Sequence, residues 1–147
     1  MVKRKYMTTN AKKQNLIKLA QGLLHGASVS YFHMRFFATN MHGKTCGAVG
    51  CAIGHAPYFG VYKYKHEDWR EFSKRALISD EYSDEWSWCF DSKWSKVDNS
   101  RRGAAKRIIW YLQYGLPNDW VKQMMGKSPL CYKKVKDFCP QWLKENT

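Results

Sequence analysis

Apolar positions recur at helical spacing in three stretches of the chain. Between Thr9 and His25, the residues Leu16, Leu19, Ala20, Leu23 and Leu24 fall on one stripe. Thr9 or Asn10 is placed to cap the start of that helix and Gly26 to end it. From about His66 to Ile78, Trp69, Phe72, Ala76 and Leu77 share a face, and Glu71 and Arg75 stand at the i,i+4 spacing of a favourable ion pair. The clearest pattern starts at Asn99 or Ser100 and ends at Gly115, ahead of Leu116-Pro117. In it Ala104, Ala105, Ile108, Tyr111 and Leu112 fill one arc. Two short helices are expected beyond it, near 118–125 and 129–144.

The stretches between carry weaker patterns. Residues 29–38 are aromatic and read as an irregular packed segment, with a strand as the alternative. Thr45 to His55 consists almost wholly of small residues, and its glycines each cost a helix about 1 kcal/mol relative to alanine. A helix there requires a closely packed neighbour, and Pro57 closes it. Asp80, Glu81, Asp84 and Glu85 read as a solvated connection rather than a two-carboxylate site, and Trp86 to Asp91 as a buried aromatic anchor. The expected fold is mainly α: a basic arm over residues 1–8, then a single helical domain over 9–147. Aromatic-rich irregular connections and at most one short strand pair complete it.

Composition supports a folded chain, because 44% hydrophobic and 16% aromatic residues are the opposite of a disordered tail. The start, Met1-Val-Lys-Arg-Lys-Tyr6, looks like the opening of a signal peptide, but no apolar core follows it. No apolar run approaches the ~18 residues that would span a bilayer. Five cysteines in no regular framework point to free thiols in a reducing cytoplasm. The formal charge is +13, and from Met1 to His66 there are ten Lys or Arg and no acid. Such a bias speaks to partners rather than to fold. It points to nucleic acid or a nucleotide-type anion, or to an acidic protein surface, and homo-oligomerisation stays open.

The segment Cys46-Gly47-Ala48-Val49-Gly50-Cys51-Ala52-Ile53-Gly54-His55 resembles a C-G-x-x-x-C-x-x-G-H signature found in small uncharacterised proteins of phages and bacteria. In that group an aromatic F-x-M-x-x-F/W segment precedes the signature, echoed by Phe32, Met34 and Phe37. A later helix of the form A-A-x-R-I-x-Y-L is echoed, with one residue more, by Ala104 to Leu112. The resemblance covers roughly residues 31–115. It implies a phage or bacterial origin and a shared fold, but no mechanism; analogy with small basic phage proteins adds the expectation of an accessory role in the host-cell cytoplasm, directed at host machinery or defence.

Candidate chemistry is sparse. Cys46, Cys51 and His55 are weak metal-ligand candidates, because C-x4-C-x3-H places Cys46 and Cys51 on different faces of a helix and names no fourth ligand. Small buried hydrophobes are the favoured reading of the two thiols. Ala38 to Thr45 fits a P-loop only loosely, lacking its first glycine, although Lys44 could hold a phosphate at a helix start. The helix after Ser100 is more informative. Opposite its apolar arc stand Arg102, Lys106 and Arg107 with Trp110 and Tyr114 beside them, and Arg101 joins Arg102 in the first turn. Arginine beside exposed rings suits phosphate contact and base stacking. Lys12 and Lys13 lie in the first turn of the first helix, where the helix dipole disfavours cations, which hints that they serve a ligand. The reading is a non-enzymatic protein, with no cofactor and no catalytic set. Its Lys12, Lys13, Lys44, Arg101, Arg102, Lys106 and Arg107 converge on one cationic patch. The alternatives are an inhibitor docking its basic face on a host enzyme, and a small hydrolase dependent on a metal or on a Cys–His pair.

Overall fold

The computed structural model describes residues 9–25, 52–78 and 83–135. The arm 1–8, the aromatic segment 29–38, Lys44, Cys46, Cys51, Asp80 and Glu81 lie outside the described residues, as does the chain beyond Val135. Six α-helices are described: α1 (Thr9–His25), α2 (Ala52–His55), α3 (Trp69–Ala76), α4 (Asp84–Phe90), α5 (Arg101–Tyr114) and α6 (Trp120–Met124). Single 3-10 turns at Ala56–Phe59, Ser92–Lys96 and Cys131–Lys134 link or follow them. No strand occurs among the described residues, so the expected strand pair is not seen there.

Helix α5 is the axis of the packing. Its bounds are those the sequence predicts, because the Ser100 hydroxyl accepts from the Gly103 amide at 2.9 Å and Gly115 ends it at a φ of 77°. Helix α1 lies along α5, α4 packs beside it, and the Cys131–Lys134 turn covers a third flank. The core combines Leu16, Leu19, Ala20 and Leu23 of α1 with Ala104, Ala105, Ile108 and Ile109 of α5. Ile17 is also fully buried, so the apolar face of α1 is wider than its leucine stripe. Gly22 has a packing reason: a Cβ there would lie 2.0 Å from the Phe59 ring, which rests on the bare backbone.

Helix α3 starts later than its apolar periodicity predicts. Asp68 accepts from the Glu71 amide at 2.8 Å and Glu71 returns the bond to the Asp68 amide at 2.9 Å, a reciprocal capping box that sets the first turn at Trp69. Glu71 is therefore occupied, and the expected Glu71–Arg75 pair does not form. Arg75 pairs instead with Glu67, ahead of the helix. At the other end of α3, side chains of α1 satisfy the last carbonyls. Lys12 Nζ donates to Lys74 O at 2.8 Å and Asn15 Nδ2 to Ala76 O at 2.9 Å.

Toward the C-terminus the expected 118–125 helix is shorter, and the expected 129–144 helix lies largely outside the described residues. The 118–125 element is the five-residue α6, and within 129–135 only the Cys131–Lys134 turn is helical. The segment read as an aromatic anchor is α4, with Trp86, Trp88, Cys89 and Phe90 all buried. Its start is not a loop, since Asp84 and Glu85 form the first turn under the Ser83 cap and suit the positive end of the helix dipole.

Candidate anion-binding surface

Among the described residues, three surface environments carry cations, two of them built from residues that the sequence singles out. The first is a row along α5. Every residue of that helix from Gly103 to Ile109 is buried except Lys106, which leaves one narrow arc to solvent. On it Arg102, Lys106, Trp110 and Tyr114 follow one another at i,i+4 spacing, so they form a nearly straight line of two cations and two rings. Tyr114 is 66% exposed, whereas Trp110 is half-buried and packs partly on the core. The two rings lie 4.5 Å apart at 49°. Arg101 is half-buried in the first turn, beside this row.

Arg107 corrects the expectation of a single cationic face, because its side chain is fully buried. Its guanidinium carbon lies 4.2 Å from the Trp94 ring centre and 5.1 Å from that of Tyr132. Trp88, Trp94 and Tyr132 meet edge to face around it, with centroid distances of 5.4 to 5.9 Å. Nη1 donates to the Tyr132 hydroxyl at 2.9 Å, and that hydroxyl donates to Asp98 Oδ2 at 2.7 Å. Nε and Nη2 find no hydrogen-bond partner among the described residues. Arginine is the cation suited to such a place, since its guanidinium is weakly hydrated and stacks on aromatic faces. Burial alone would raise the Asp98 pKa, but the Ser100 and Tyr132 hydroxyls and the Arg107 charge hold it below the usual carboxylate range. Gly103 makes room for that carboxylate, for a Cβ there would fall 2.1 Å from Oδ2. The assembly is a structural cage and offers nothing to an external anion.

Lys12 and Lys13 occupy the second environment. They border an open cleft of about 590 Å³ whose apolar floor is Leu16, Leu77, Ile78 and Leu112, with Ser83, Glu85 and Tyr111 adding polar groups. Tyr111 and Leu112 lie on the arc of α5 away from the Arg102–Tyr114 row. Among the described residues the two lysines therefore do not extend that row, and these cations do not join in one continuous patch. Lys12 is nearly buried and holds the Lys74 carbonyl; burial lowers its pKa. Its unfavourable place in the first turn of α1 is explained by that bond to α3, which makes a structural reason sufficient.

The third environment was not anticipated. After the Ala56–Phe59 turn the chain is irregular through Tyr62-Lys63-Tyr64 and turns at Lys65-His66, where the Glu67 amide donates to the Tyr64 carbonyl at 3.2 Å. Tyr62 is 69% exposed and Tyr58 67% exposed, and Tyr64, Lys65 and His66 also face solvent. The Tyr62 and Tyr64 rings meet edge to face at 5.1 Å, and Tyr64 and His66 stack at 5.8 Å and 14°. Beneath them lies a polar clamp. Buried Glu67 accepts from the Tyr64 amide at 2.9 Å and from Arg75, and Arg75 Nη2 donates to the Tyr62 carbonyl at 2.8 Å. The Arg75 guanidinium also lies 4.4 Å from the Tyr64 ring centre. Burial works against the Glu67 charge, yet its bonds to Arg75 and to the Tyr64 amide bring its pKa below the ordinary value. The alternation of tyrosine and lysine was the available sequence signal, but its residues lie between two helices and read as a connection.

His55, a weak metal candidate, is buried at the end of α2, 6.3 Å from the Tyr58 ring. Among the described residues no group of three or more His, Cys, Asp or Glu side chains could hold a metal ion. No helix described is long and apolar enough to cross a membrane. Burial raises the Cys89 thiol pKa strongly, which leaves it a packing residue rather than a nucleophile. No protein family, no curated protein and no solved structure matches the chain.

Proposed function

We propose that this protein is a non-enzymatic binder of an anionic partner, nucleic acid or a nucleotide-type ligand, in a phage-type accessory role of the kind the Cys46–His55 motif implies. The observation that carries this reading is the Arg102–Lys106–Trp110–Tyr114 row along one solvent-facing arc of α5. Two cations at one end of the row meet phosphate, and two rings at the other offer faces to a base. The row stands on a helix packed by α1, α4 and the Cys131–Lys134 turn, so binding requires little ordering of backbone. Arg107, one helical step aside, takes no part.

The test is equilibrium binding of labelled nucleic acid at several salt concentrations, with Arg102→Glu and Lys106→Glu combined in one variant. Log K should fall linearly with log salt in the wild type, and the variant should bind at least tenfold more weakly with a slope shallower by roughly one per lost cation. Its circular dichroism should show the helical content of the wild type, which separates lost binding from a lost fold. Unchanged binding by a folded variant would overturn the assignment of this row.

A further inference from the structure

We infer that the Tyr62–His66 segment is a stacking platform for the bases of a single-stranded nucleic acid, flanked by Lys63, Lys65 and Lys18 for its phosphates. The inference rests on the anion-binding reading above and goes beyond it by naming a second site and an unpaired strand as the ligand. Three features converge.

The rings are exposed and held. A fold that buries tryptophans throughout its core leaves Tyr58, Tyr62 and Tyr64 in solvent within one short segment, and clustered exposed apolar surface marks a contact site. The Glu67–Arg75 clamp grips the backbone on both sides of Lys63, through the Tyr62 carbonyl and the Tyr64 amide. The rings are thereby presented with little conformational freedom left to lose on binding.

The electrostatics favour an anion. Lys65 is exposed, Lys63 lies 4.9 Å from the centre of the Trp69 ring, and the Lys18 stem reaches Gly60 from α1. The nearby acids are all engaged with donors of the protein itself: Glu67 with Arg75, Asp68 with the Glu71 amide, and Glu71 with the Asp68 amide. Only Glu67 is neutralised by its partner; Asp68 and Glu71 keep their charge at the start of α3, on the far side of Glu67 in sequence from Lys63 and Lys65.

Ring faces separate a single strand from the other polyanions. Bases in a duplex are stacked on each other and present only edges, whereas those of a single strand can lie on tyrosine or histidine rings. An acidic peptide would use the lysines but would leave the rings unused.

The experiment measures anisotropy of a fluorescein-labelled oligo-dT of about 20 nucleotides, a duplex of equal length and labelled polyglutamate against the full-length chain. Oligo-dT should bind tightest. Tyr62→Ala should weaken it about tenfold or more while leaving duplex binding unchanged, and Tyr62→Phe should restore it, since stacking needs the ring and not the hydroxyl. Lys65→Glu should weaken it too and flatten its salt dependence. Equal or tighter binding of duplex or polyglutamate, or a silent Tyr62→Ala, would overturn the platform. Should the charge reversal on α5 abolish binding while Tyr62→Ala is silent, the platform is wrong and the α5 reading stands. The reverse result would remove the α5 row and leave the platform.

Discussion

At the scale of single residues, Arg107 shows how a charge can be kept inside a small core. Taking a guanidinium out of water is costly, and the cost is met by Trp94 and Tyr132 faces, the Tyr132 hydroxyl and, 3.7 Å away, the Asp98 carboxylate. The arrangement is vulnerable to the loss of its anion. Asp98→Asn should destabilise the fold by about 3–5 kcal/mol, because it leaves the buried cation without a counter-charge. Urea unfolding monitored by circular dichroism would measure this, and a loss below about 1 kcal/mol would mean that the rings suffice alone. The burial of Arg107 was not legible in advance. On a helical projection it borders the polar arc that holds Arg102 and Lys106, and only Asp98 and Tyr132, nine and 25 positions away, draw it inward. Lys12 misleads in the same way, for its role lies in a carbonyl 62 positions distant.

Helix ends decide the elements. Sequence reading located α1 and α5 well, since both carry an unbroken apolar pattern and α5 adds the Ser100 cap at the right place. It misjudged α3 because two local signals compete there: the apolar period favours an early start at His66, but the Asp68–Glu71 box begins the helix at Trp69 and frees Glu67 for Arg75. The consequence is an acid sensitivity with a definite sign. Glu67 and Asp98 both have folded-state pKa values below their ordinary values of 4.5 and 3.8. Their stabilisation is complete above those ordinary values and is lost as pH falls through the lowered folded values. The melting temperature should therefore drop steeply on acidification below about pH 4.5, and more shallowly in Glu67→Gln, which begins from a lower plateau. A scan of melting temperature against pH checks both parts. Parallel curves for wild type and variant would show that Glu67 does not couple to folding.

For the molecule as a whole, charge is partitioned rather than pooled. Among the described residues, the cations singled out above fall into the α5 row, the lysines around Tyr62–His66, the cleft of Lys12 and Lys13, and one arginine that never meets solvent. The helical class could be read from period, and the excess of cations from composition. Convergence on one patch could not, because α5 is buried over most of its circumference and sets the Lys12 cleft on the far side from Arg102 and Lys106. The tyrosine platform was equally hidden. Its exposure depends on a clamp whose two halves, Glu67 and Arg75, had been assigned to one helix with a different pairing.

The aromatic cage also supplies a spectroscopic division of labour. Trp88 and Trp94 are immobilised in the interior, so their near-ultraviolet dichroism should persist while a ligand binds and vanish only on unfolding. Trp110 shares the open arc with Tyr114, where a stacked base would quench its emission. Quenching by oligonucleotide that disappears in Trp110→Phe, with the dichroism intact, would mark α5 as the contact surface. Quenching that survives this replacement would place the contact elsewhere. Folding and recognition are thus reported by different indoles of the same chain.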